Sequence, residues 1–150
     1  MLLMLKNDNC RIGHLDSVHN GPGIHDNGSG SAALLAILSR LCDMGPTRNR
    51  VRFAWRDGEE LDLQGSKHYV DKLSEAERNK IRFYFNYDMV GSRPPNWNVL
   101  SALTHDAVGA DILVKALKST ERFKMSKDAP EAELHKSLSH VSRRRIAGWT

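Results

Sequence analysis

Apolar residues recur at helical spacing in two stretches of this chain. The first stretch carries aliphatic side chains at positions i, i+3, i+4 and i+7, namely Leu34, Ile37, Leu38 and Leu41. This spacing predicts a helix that begins near Ser31 and ends near Met44, because Gly45 and Pro46 follow as stop signals. A comparable pattern predicts a second amphipathic helix over residues 108–117.

Apolar and polar residues alternate elsewhere, as is typical of strands. Residues 51–55 and 81–87 show this alternation, and shorter runs at 1–5 and 11–15 also predict strands. Residues 66–73 predict a short helix and 74–80 a polar connection, while glycine, asparagine and proline favour loops at 20–31 and 92–98. Because strands and helices alternate, we expect an α/β domain with a largely parallel or mixed sheet flanked by helices.

Length and composition fit a single globular domain. The chain has 150 residues, 40% of them hydrophobic and 27% charged, with a formal net charge of +4. The basic run Arg143–Arg145 is more typical of a solvated segment than of a phosphate-binding surface. Apolar runs fall short of the ~20 residues of a membrane span, and the apolar start ends at Lys6, before a complete export signal. We therefore expect a soluble protein. The two cysteines, Cys10 and Cys42, do not decide its redox compartment, and the sequence does not show whether they pair with each other.

Two polar clusters lie in the first third of the chain. His14 and Asp16 point the same way in an extended segment, and a zinc-bound histidine often donates its second ring proton to a carboxylate or carbonyl. Asp26 lies in a glycine-rich loop before the first predicted helix, and its two oxygens suit it to bridge two cations. The alternative interpretation of that loop is a helix cap made by Ser29 or Ser31, which is compatible with metal binding by Asp26.

Two more clusters follow predicted strands. Asp57, Glu59 and Glu60 place like charges together, which repel unless they are solvated or neutralised by a cation. Of the adjacent glutamates, one can bind metal while the other moves protons. Asp88 ends an apolar strand, where a buried carboxylate needs a metal, an arginine or a helix terminus as its partner.

Taken in order, these segments resemble the di-zinc aminopeptidases of the bacterial leucyl aminopeptidase and fungal aminopeptidase Y type, metallopeptidase family twenty-eight. The resemblance is carried by HLDSV at 14–18, GPGIxDNGSGSA at 21–32, VRFxW and EELxLxGS within 51–66, and NYDMVG at 86–91. It is strong over residues 13–92 and weak over 93–150. It implies that residues 1–150 form a single partial peptidase domain of the phosphorylase/hydrolase-like zinc exopeptidase fold, truncated at both ends.

The resemblance also implies a site and a reaction. His14, Asp26 and Asp88 are implied to bind one zinc ion, and Asp26 and Glu60 a second one together with a histidine further along the chain. Glu59 is implied as the general base that relays a proton from a zinc-activated water, with peptides bearing a free N-terminus as substrates. The resemblance further suggests a secreted or vacuolar protein.

Several positions depart from the family pattern. The expected late histidine has no counterpart, and His135 and His140 are poor substitutes. His25 replaces the usual asparagine and is interpreted as a solvent-facing loop residue, and Gly58 replaces the usual alanine. The alternative hypothesis is therefore an inactive remnant that binds at most one zinc. A third alternative is that the protein is a carboxypeptidase or deacylase of the same structural group. The hypothesis of nucleic-acid binding has little support in the sequence.

Overall fold

Three parallel strands form the sheet of this protein. A computed structural model describes residues 8–92, residue 99 and residues 107–119. The strands are β1 (Asp8–His14), β2 (Arg50–Arg56) and β3 (Ile81–Asn86), in the spatial order β2-β1-β3. The central strand β1 pairs with β2 in continuous register and with β3 after an irregularity between Asp8 and Asn9. The carboxyl ends of all three strands therefore lie at one edge of the sheet.

Helices make the connections that parallel strands require. Helix α1 (Gly30–Asp43) lies between β1 and β2, and α2 (Gln64–Lys72) and α3 (Glu75–Arg78) lie between β2 and β3. A further helix, α4 (Ala107–Lys118), follows β3. An irregular π-helical turn, Ile24–Ser29, leads from β1 into α1, and its Asp26 and Asn27 have non-helical backbone angles. The expected α/β class, a parallel sheet flanked by helices, is confirmed.

Most of the predicted elements are present, with three differences, one of which is the π-helical turn Ile24–Ser29 within the loop predicted at 20–31. Strand β1 begins at Asp8 rather than at residue 11, and α3 lies within the predicted polar connection. A capping box accounts for α3, because the Ser74 hydroxyl accepts from the amide of Glu77 while the Glu77 carboxylate accepts from the amide of Ser74. The strand predicted at 1–5 and most of the loop predicted at 92–98 lie outside the described residues.

The two faces of the sheet bury different clusters. On one face, Cys10 and Ile12 of β1 pack with Leu73 and Ile81. On the other face, Leu34 of α1 is completely buried, and its Cδ1 lies 3.1 Å from where a Cβ of residue 13 would stand. Gly13 therefore allows α1 to approach the strand that carries His14.

An ion-pair cluster around the buried Asp8 joins the amino ends of β1 and β2. Asp8 is 1% exposed and accepts hydrogen bonds from Arg50 at 2.8 and 2.9 Å and from Arg52 at 2.6 Å. Burial opposes ionisation of Asp8, but the bonds and charges of the two arginines outweigh it and lower the pKa of this carboxyl. This cluster stabilises the β1–β2 register at the edge opposite the polar clusters.

The two cysteines are free thiols and form no disulfide with each other; Cys10 is buried and Cys42 is exposed. Within the described ranges, no helix is both long enough and apolar enough to cross a membrane.

Candidate metal centre

Chain topology brings four of the predicted polar residues to one edge of the sheet. His14 is the last residue of β1, Glu59 lies in the loop after β2, and Asp88 follows β3 by two residues. Asp26 lies in the turn between β1 and α1. Because parallel strands end at a common edge, side chains far apart in sequence meet there.

His14 lies at the centre of this group. Its Nε2 is 3.0 Å from Oδ1 of Asp26, 3.5 Å from Oδ1 of Asp88 and 3.9 Å from Oε2 of Glu59. The ligand atoms of His14, Asp26 and Asp88 all lie within 4.8 Å of one another. Two ligands of a tetrahedral zinc ion stand about 3.3 Å apart, given metal–ligand bonds of about 2.0 to 2.1 Å. The spacing of these three side chains therefore suits a single zinc ion.

Unpartnered polar atoms provide an independent test of whether the residues fit a metal. The His14 side chain is 3% exposed, and its Nε2 makes no well-aligned hydrogen bond among the described residues, although Oδ1 of Asp26 lies only 3.0 Å away. Oδ1 of Asp88 is also buried and has no hydrogen-bond partner in the described part of the chain. Buried polar atoms without a partner are costly, and a cation between them would satisfy both. The donor set of one imidazole and two carboxylates fits zinc.

Asp16 orients the histidine from the other side. Nδ1 of His14 lies 3.1 Å from the main-chain oxygen of Asp16 and 3.5 Å from its Oδ1. With the proton on Nδ1, the lone pair of Nε2 faces the carboxylates. Oδ2 of Asp16 also accepts from the amide of Glu60 at 3.0 Å. Burial opposes ionisation of Asp16, but backbone bonds from Glu59 and Glu60 lower the pKa of its carboxyl.

The site concentrates negative charge. Burial opposes protonation of His14, but the neighbouring Asp88 and Glu59 outweigh it and raise the pKa of the imidazole. Burial also raises the pKa of Glu59 and of Asp88, and His14 offsets this only in part. Crowded, partly desolvated carboxylates of this kind favour a bound proton or cation.

Glu60 is not a member of the three-residue group. Its Oε1 is buried without a hydrogen-bond partner in the described chain, and Glu60 lines an open groove of about 610 Å³ together with Asp16, Asp57 and His68. Over the described ranges, His14, Asp26 and Asp88 are the one group of three side chains close enough to share a metal. The predicted second zinc site therefore stays a prediction.

The cap position predicted for Ser29 or Ser31 is confirmed for Ser29, but without a capping bond from its side chain. Ser29 occupies the N-cap position of α1, but its hydroxyl makes no cap bond; it donates to the main-chain oxygen of His25 at 2.7 Å and accepts from Gly91 at 3.0 Å. Ser31 donates to the main-chain oxygen of His14 at 3.1 Å. His25 is exposed, as predicted.

Asn27 takes the role that the serines were expected to have. Its side chain is 2% exposed, and its Oδ1 accepts from the amide of Gly30 at 2.9 Å, which gives this amide a side-chain partner at the start of α1 in addition to the main-chain oxygen of Asn27. The sequence offered one weak signal for this residue, since asparagine is favoured in caps and turns.

The fold and the centre together define an α/β protein with a metal-capable cluster of histidine and carboxylates. Residues 8–138 match the family model of Peptidase family M28. This match covers most of the chain, and the chain therefore belongs to Peptidase family M28.

Individual relatives are similar over part of the chain. An aminopeptidase of Pseudomonas aeruginosa is 50% identical over 98 residues, which cover 65% of this chain and 17% of the relative. Leupeptin-inactivating enzyme 1 of Streptomyces exfoliatus is 51% identical over 88 residues, or 57% of this chain and 20% of the relative. Matched regions thus span a fifth or less of these relatives' lengths.

A solved structure is similar over nearly the whole chain. The zinc aminopeptidase from Bacillus subtilis superposes with a TM-score of 0.67 at 28% sequence identity. The match covers 94% of this chain and 32% of that structure.

Proposed function

We propose that this chain supplies the zinc-binding and general-base residues of an aminopeptidase that acts on peptides with a free N-terminus. The observation that carries the proposal is the convergence of His14, Asp26 and Asp88 around two unpartnered buried atoms, with Glu59 beside them. Membership of Peptidase family M28 supports the reaction class. The aminopeptidases among the relatives support the free N-terminus as the substrate feature.

His14, Asp26 and Asp88 would bind the zinc ion. When bound, zinc supplies Lewis-acid chemistry, since it polarises a carbonyl and lowers the pKa of bound water to about 7. Asp16 keeps the imidazole of His14 oriented, so that its Nε2 stays directed at the centre.

Glu59 is proposed to move the proton. Its Oε2 lies 3.9 Å from Nε2 of His14, close to the ligands but outside the three-residue group. Burial raises the pKa of Glu59 above its ordinary value. A carboxylate with a raised pKa is a better base toward water and, once protonated, a suitable acid toward the departing amine.

Glu60 and Asp26 are proposed to bind a second zinc ion. The buried, unpartnered Oε1 of Glu60 supports this role. By the family resemblance, the remaining ligand would be a histidine.

An inactive protein that binds a single zinc ion is the second candidate function. It is favoured by one observation: among the described residues a single metal-capable group is found, and Glu60 is not part of it. Zinc stoichiometry separates the two candidates, because the aminopeptidase proposal expects two zinc ions per chain and the alternative expects one.

Hydrolysis of leucine p-nitroanilide by the zinc-loaded chain tests the reaction. Glu59→Gln keeps the shape of the side chain but removes its basicity, and we expect kcat to fall by about 10² to 10⁴-fold. The matched control Glu75→Gln changes an exposed glutamate in the first turn of α3 and should leave kcat unchanged. Equal kcat for wild type and Glu59→Gln would refute the general base, and a wild type that binds one zinc without turnover would favour the inactive alternative.

A further inference from the structure

We infer that Asn27 is a positioning residue that keeps the carboxylates of Asp26 and Asp88 at metal-binding distance. This inference rests on the proposed function, because it concerns the zinc ligands named there. Asn27 directly follows Asp26 in the chain, and its side chain reaches the strand end that carries Asp88.

The side-chain amide of Asn27 bonds both flanks of Asp88. Its Nδ2 donates to the main-chain oxygen of Tyr87 at 2.8 Å, and its Oδ1 accepts from the amide of Met89 at 3.3 Å. The same Oδ1 accepts from Gly30 at 2.9 Å at the start of α1. One side chain thus links three backbone segments next to two proposed ligands.

Burial makes these bonds strong determinants of local geometry. Asn27 is 2% exposed, so water cannot readily replace a lost partner. A buried donor or acceptor left without a partner is unfavourable, so the local structure should shift when the Asn27 amide is removed. Ser29 provides a comparison, because its hydroxyl links the same two segments by accepting from the amide of Gly91. That hydrogen bond is exposed, so water can replace the hydroxyl as the partner of the amide.

The backbone around Asn27 leaves little room for adjustment. A Cβ on Gly30 would lie 2.1 Å from the main-chain oxygen of Tyr87 and 2.2 Å from Oδ1 of Asn27. The turn and the end of β3 are therefore in direct contact at this point. Metal centres need their ligands held within about 0.5 Å of the productive geometry, so loosening this contact should weaken zinc binding.

Zinc affinity measured by competition with a chromophoric chelator tests the inference. For Asn27→Ala we expect the zinc Kd to rise by about 10 to 100-fold, which is typical when a group that supports metal ligands is lost. Asn27→Asp keeps an acceptor for the amides of Gly30 and Met89, so its loss of zinc affinity should be smaller than that of Asn27→Ala. If Asn27→Ala does not fold, Asn27→Asp is the variant that tests the inference. Ser29→Ala should change the Kd by less than about 3-fold, since its bonds are exposed.

A stability-matched control separates positioning from general destabilisation. Leu73→Ala removes a buried side chain from the Cys10–Ile81 cluster, away from the site. It should lower stability without changing the zinc Kd. Amide hydrogen exchange in zinc-free protein gives a second readout, because the amide of Met89 donates to the Asn27 side chain and should lose protection in Asn27→Ala but keep it in Leu73→Ala.

The outcomes distinguish the inference from the function on which it rests. A wild-type chain that binds no zinc would overturn both. Zinc binding by wild type with an equal Kd for Asn27→Ala, or an equal loss for Asn27→Ala and Leu73→Ala, would overturn the positioning role and leave the proposed function intact. A raised Kd confined to the Asn27 variants, with loss of exchange protection at Met89, would support it.

Discussion

Replacement of Gly30 by alanine should force apart the two segments that carry Asp26 and Asp88. Gly30 has ordinary right-handed helical angles, φ −65° and ψ −43°, so helix propensity alone favours alanine by about 1 kcal/mol. The new Cβ, however, would lie 2.1 Å from the main-chain oxygen of Tyr87. That oxygen cannot move freely, because the amide of the same residue donates to Ile12 in the sheet at 2.9 Å.

The steric cost should exceed the gain in propensity. Contacts below 3.0 Å are essentially never made by a Cβ, so the backbone must shift by nearly 1 Å at Gly30 or Tyr87. Overpacking of this kind usually costs about 1 to 3 kcal/mol, and a clash with main chain belongs at the upper end of that range. We therefore expect a net destabilisation of about 2 kcal/mol and a weaker zinc affinity.

Urea unfolding of the metal-free protein, followed by far-ultraviolet circular dichroism, measures the first effect. Gly21→Ala is the matched control, because Gly21 has no atom within 4 Å of the position of a Cβ and no positive φ. Its stability should stay within about 0.5 kcal/mol of wild type. A Gly30→Ala protein as stable as Gly21→Ala would refute the close contact between the turn and β3.

Three further predictions concern the body of the domain. Asp8→Asn should lower stability at pH 7 by about 1 to 3 kcal/mol. Since folding lowers the pKa of Asp8, wild type should hold this stabilisation above pH about 4 and lose it as the pH falls through the folded value, so urea unfolding at a series of pH values from 7 downward should show that loss in wild type and not in Asp8→Asn. Leu34→Ala should cost about 2 to 5 kcal/mol in the same assay, because the side chain is completely buried; a cost under 1 kcal/mol would contradict the packing of α1. Burial raises the pKa of Tyr84 to about 12, so an ultraviolet titration of wild type minus Tyr84→Phe should show a phenol that titrates near that pH rather than near 10.

Sequence patterns predicted the elements that depend on local periodicity. The apolar spacing of α1 and the alternation in β2 and β3 reflect which face of each helix or strand packs against the core. That periodicity can be read from a short stretch of sequence. The meeting of His14, Asp26 and Asp88 was predicted from the family resemblance, and it agrees with the rule that parallel strands end at a common edge.

Features that depend on register or on side-chain direction were not predicted. The cluster of Asp8 with Arg50 and Arg52 requires knowing that β1 and β2 pair from their first residues, which no local pattern gives. The role of Asn27 depends on contact with a segment 60 residues away. The capping box of Ser74 and Glu77, by contrast, was readable from the sequence, and its S-x-x-E spacing could have predicted α3.

Zinc-edge anomalous diffraction from crystals of the zinc-loaded chain would test the central claim most directly. The account predicts a strong difference peak within about 2.0 to 2.2 Å of Nε2 of His14 and of carboxylate oxygens of Asp26 and Asp88. Zinc bound only at other side chains, with these three in contact with water alone, would contradict it.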